Sequence, residues 1–121
     1  LGKLEMTRGS SPVLPNRKYG ENRMSTDDLI KDIQRWYHAQ CDGDWEHDFG
    51  ITIESLDNPG WRVQIDLTGT MLNGKDFEEI TRLEPEIDWL HCKIDGNKFI
   101  GAGGPFNLDE ILRVFLDWAK S

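Results

Sequence analysis

"FGITIESLDNPGWRVQIDL", residues 49–67, decides the fold. Phe49, Ile51 and Ile53 fall on one face of the first half, and Trp61, Val63, Ile65 and Leu67 on one face of the second. Strict alternation is the signature of a strand with one face buried. Between the halves, Asp57, Asn58, Pro59 and Gly60 supply turn chemistry. The stretch therefore predicts an antiparallel hairpin.

The same pattern continues downstream. After breaks at Gly69 and Asn73-Gly74 come "FEEITRL" (77–83), "DWLHCKI" (88–94) and "NKFIGA" (97–102), with Asp95-Gly96 as a second tight turn. That makes about five strands, mostly antiparallel because their links are too short for crossover helices.

Two helices flank them. In "STDDLIKDIQRWYHAQ" (25–40), Ser25 caps the start, Asp27 and Asp28 suit the positive helix end, and Leu29, Ile33, Trp36 and Tyr37 recur at helical spacing. The helix is expected to stop near Gly43. In "GPFNLDEILRVFLDWAK" (104–120), Asn107 reads as the N-cap and Phe106 as a staple against Ile111. Leu108, Ile111, Leu112, Phe115, Trp118 and Ala119 form the apolar stripe. One apolar face per helix predicts an α+β architecture: about five mostly antiparallel strands in one curved sheet, with an N-terminal and a C-terminal helix packed on one face.

Length and charge narrow the function. A chain of 121 residues supports one core, expected over residues 24–121. Residues 1–23 contain Pro12, Pro15, Gly9 and Gly20 and little apolar periodicity, and read as a flexible leader or upstream remnant ahead of Met24. That segment carries +3 of a chain whose net charge is −8, leaving −11 on the remainder. Such a field repels nucleic acid and anionic membranes and favours a basic protein partner or a cation. With 37% hydrophobic and 30% charged residues and no apolar run of membrane length, the chain reads as soluble. Cys41 and Cys92 stand in no CxxC pair and read as reduced cytosolic thiols.

"QCDGDWEHDFG" (40–50) concentrates reactive side chains: Cys41, Asp42, Asp44, Glu46, His47 and Asp48, with His38 one helical turn before Cys41. It offers neither CxxC nor HExxH spacing, and its glycine is misplaced for a calcium loop, so no metal or cofactor is expected. Cys92 alternates with Leu90 and Ile94 and reads as a buried apolar residue, while His91 points to the opposite face. "GAGGP" (101–105) lacks the lysine of a phosphate loop and reads as a tight strand-to-helix connection needing glycine conformations. No catalytic set emerges. Trp36, Trp61 and Trp118 belong to apolar stripes. Trp45 and Trp89 stand among acids, a setting that suits either an interface anchor or a ring folded back over the core.

These blocks together resemble the immunity protein 53 family of bacterial polymorphic toxin systems. "WYHAQCDGDWEHDFGITIESLDNPGWRVQIDLTGT", "DWLHCKI" and "GAGGPFNLDEILRVFLDW" carry the likeness, which spans residues 29–119. The resemblance implies a small cytosolic protein that blocks the effector domain of a toxin encoded beside it, and supplies no catalytic residues. On this reading Asp42, Asp44, Glu46 and Asp48 present charge around Trp45, with Asp88 and Trp89 as further candidate contacts, against a basic toxin such as a nuclease. The competing class is a small thiol- or metal-dependent enzyme using Cys41 and His47.

Overall fold

The computed structural model describes residues 26–121 apart from Pro85, with side chains from Asp28 onward. The leader and the Ser25 cap lie outside those residues. Helix α1 (Thr26–Gln40) leads through a single helical turn, α2 (Trp45–Asp48), into strands β1 (Ile51–Leu56) and β2 (Gly60–Asp66). After a long connection come β3 (Ile80–Arg82), β4 (Leu90–Asp95), β5 (Lys98–Gly103) and helix α3 (Leu108–Lys120). The expected α+β arrangement is what forms.

All five strands join one antiparallel sheet in the order β1-β2-β5-β4-β3. Adjacent strands form β1–β2, with Ile53 opposite Val63, and β4–β5, with Ile94 opposite Phe99. The seam between the two halves is β2–β5, where Val63 faces Gly101 and Trp61 faces Gly103. This seam puts Val63, Ile65 and Phe99 at the middle of the sheet, fully buried.

One face of the sheet receives α3, whose Ile111, Leu112, Phe115, Leu116 and Trp118 are buried. Helix α1 packs on α3, placing Leu29 and Ile33 in the same core. Aromatic edges meet faces through this layer: Phe115 lies 5.2 Å from Phe99 and 5.0 Å from Trp36, and Phe77 spans Phe99 and Trp118 at 5.7 and 5.4 Å. Such contacts add to the apolar burial that drives folding. Ile53, on the edge strand β1, keeps 43% exposure despite its inward register opposite Val63.

Two local expectations change. Phe106 does not staple onto Ile111; it is 81% exposed. The space is already taken, since Ile111 lies directly over Gly101 and Gly103. Those glycines, with Gly104, are needed for close approach rather than for a left-handed backbone. A β-carbon on Gly104 would stand 2.5 Å from the Ile87 carbonyl oxygen, and none of the three has a positive φ.

Candidate functional site

The connection after α1 is built by its own carboxylates. Gly43 turns the chain at φ +97, which glycine reaches without steric cost. Asp42 Oδ1 then accepts the backbone amides of Asp44 and Trp45, each at 2.9 Å. Glu46 reaches back to accept the amides of Asp42 at 3.0 Å and Gly43 at 2.9 Å. The two acids thus brace the entrance to α2 reciprocally, each accepting amides on the other's side of the turn, in the manner of a capping box.

This arrangement explains their acidity. The amides of Trp45 and Asp44 hold the Asp42 carboxyl below its usual range, and for Glu46 its own amide and those of Asp42 and Gly43 do the same. The unfolded chain therefore binds more protons than the folded one across the window below their ordinary values. Their contribution is complete at neutral pH and is lost as pH falls below roughly 5. We expect Asp42→Asn with Glu46→Gln to lower the thermal midpoint at neutral pH and to reduce its fall on acidification. A midpoint-versus-pH series in which the double variant ran parallel to the unaltered chain would contradict the assignment.

Trp45 turns inward. It is 6% exposed, donates Nε1–H to the Thr68 carbonyl at 2.8 Å, and meets Trp36 and Tyr37 edge-on, each at 6.1 Å. Of the two roles open to a tryptophan among acids, it takes the ring folded over the core. Asp44, His47 and Asp48 remain exposed. The half-buried Cys41 donates Sγ–H to the Tyr37 carbonyl at 3.4 Å.

Asp88 and Trp89 belong to a different place. Trp89 is half-buried beside Gly60, where a β-carbon would come within 3.3 Å of its ring. Asp88 joins a network that sequence reading did not assemble. The Arg82 guanidinium donates to Glu110 through both nitrogens at 2.9 Å and to Asp88 at 2.7 Å. The Asn107 amide donates to Asp88 at 2.9 Å and to Glu110 at 3.0 Å. Asn107 does stand at the N-cap of α3, but its side chain makes no capping bond: Nδ2 donates to these acids, and Oδ1, the atom that would cap, is buried without a partner. Asn107, then Arg82, hold Asp88 below the usual carboxylate range; Arg82, then Asn107, do so for Glu110. Glu110 and then Asp88 raise the Arg82 guanidinium in return.

The seven candidate contacts therefore form two groups. Trp45 is fixed to Thr68, beyond the Asp66 end of β2, whereas Trp89 abuts Gly60 at its beginning. At the rise of an extended strand the ends of β2 stand about 20 Å apart.

Among the described residues, no three or more His, Cys, Asp or Glu side chains are grouped to hold a metal ion. Cys92, the other thiol, is fully buried and its ionisation is pushed up to about 12, first by burial and then by the Glu110 charge. The molecule is a small α+β domain. The chain belongs to the immunity protein 53 family, whose model matches residues 30–120, and so to a group of immunity proteins directed against toxins. No curated protein and no solved structure matches it. No helix among the described residues is long and apolar enough to cross a membrane.

Proposed function

We propose that the chain binds and neutralises the effector domain of a cognate bacterial polymorphic toxin in the cytoplasm, acting as a non-catalytic inhibitor through an acidic surface. The observation that carries this reading is the family match across residues 30–120. The net charge of −8 supports a basic target, such as a nuclease, because carboxylates occupy the place of substrate phosphates and steer encounter. Around the α1–β1 connection, Asp44 and Asp48 have exposed side chains, while Asp42 and Glu46 hold the turn that displays them. Asp88 extends the acidic surface to the other end of the sheet.

Calorimetry of the full chain against the toxin domain encoded beside it tests the proposal. Tight binding that abolishes toxin activity and weakens between about 0.05 M and about 0.5 M salt is expected. The double variant Asp44→Lys, Asp48→Lys should slow association and flatten the salt dependence while leaving the thermal midpoint unchanged. Failure of the unaltered chain to bind would refute the immunity reading. Binding with no salt dependence would retain it and remove the acidic surface from the mechanism.

A further inference from the structure

Phe106, 81% exposed, holds a phenyl ring in water at the entrance to α3. Ile87 at 60% and Leu83 at 64% are also exposed on the β3–β4 connection, whose backbone at Ile87 lies against Gly104. Scattered exposed apolar residues need no explanation. Here, however, the positions are shared: Phe106 and Ile87 both line one cavity of about 520 Å³.

Phe106 is a ridge between two clefts. The first is that cavity, whose polar wall is Arg82, Asp88, Asn107 and Glu110. The second, of about 330 Å³, is mainly apolar, with Ile30, Trp61, Pro105, Leu108 and Leu112 in its walls and Asp109 at hand. Trp61 is fixed in that wall by its Nε1–H bond to the Pro105 carbonyl at 3.0 Å. The half-buried Arg82 is engaged by Asp88 and Glu110, so the first cleft carries net negative charge. Asp109 is exposed in the wall of the second cleft, and Glu84 and Glu86 are exposed on the same β3–β4 connection as Ile87.

We propose that this ridge, Phe106 with Ile87, is the anchor by which the chain docks on its toxin. The partner is a basic protein surface with an apolar depression that receives the phenyl ring and arginine or lysine side chains that meet Asp88, Asp109 and Glu86. The proposal rests on the immunity reading and deepens it. An exposed aromatic ringed by charge is the arrangement from which binding hot spots are made, because docking desolvates the ring while complementary charges set register. A second copy of this chain fits less well, since its own carboxylates would face these across the contact.

The experiment compares the full-length unaltered chain, Phe106→Ala and Ile87→Ser for binding to the catalytically inactive toxin domain encoded beside the gene. Thermal midpoints establish folding, and sedimentation of each chain alone reports self-association. Phe106→Ala is expected to weaken binding about 30-fold or more at an unchanged midpoint, with a smaller loss for Ile87→Ser. If the unaltered chain binds tightly and both variants stay within about threefold of it, the ridge is not the anchor and the immunity reading survives. If the unaltered chain binds no toxin, both fail. A dimer of the unaltered chain that Phe106→Ala separates would make the ridge a self-contact and overturn the proposal.

Discussion

Phe115→Ala should destabilise the protein by about 3–5 kcal/mol, the range for deleting a buried phenyl ring, and lower the thermal midpoint by on the order of 20 °C. Phe115 is fully buried and meets Trp36, Phe99 and Trp118. Those three residues come from α1, β5 and α3, so the cavity would loosen every layer at once. Phe115→Leu should recover part of the loss. A cost below about 1 kcal/mol for the alanine variant, measured by denaturant titration, would mean that the helix layer is not centred on this ring.

Gly104→Val is the second large effect. The obstacle to its first added carbon is backbone, the Ile87 carbonyl at 2.5 Å, with Asn107 Oδ1 at 2.8 Å behind it. A flexible side chain could swing away; a main-chain carbonyl moves only with its segment. Overpacking of this kind costs about 1–3 kcal/mol, and the bulk of valine places the expectation at the upper end. Displacement of Ile87 should also weaken toxin binding in the fraction that remains folded. Equal midpoints for Gly104→Val and the unaltered chain would show that the 83–89 connection yields freely.

The strands and helices were legible because alternation and helical spacing are local properties. Ile51 to Leu67 announces a hairpin whatever surrounds it. The strand order was not legible, because the pairing of Trp61 with Gly103 depends on a partner distant in sequence. The glycines of "GAGGP" signalled a constraint, but a sequence does not separate a left-handed φ from a close contact with Ile111 or Ile87. The site was harder still. A tryptophan among acids reads equally as anchor or lid, and only the Thr68 carbonyl made Trp45 the lid. Asp42 and Glu46 carried a signal that could have been used, two acids bracketing a short turn before an apolar residue. Phe106 carried a misleading one, since the position before an N-cap favours a staple, and the tight seat of Ile111 is a tertiary fact.

The β2–β5 seam has a consequence for how the protein assembles. The β1–β2 hairpin and the β3–β4–β5 meander each close on neighbouring residues, so each can form early and locally. Neither half alone brings together Val63, Phe99 and the glycine track that seats α3. Joining them closes the longest loop in the sheet, and that entropic toll falls before the core rewards it. The barrier to folding should therefore lie at the seam, with two preformed pieces searching for one register.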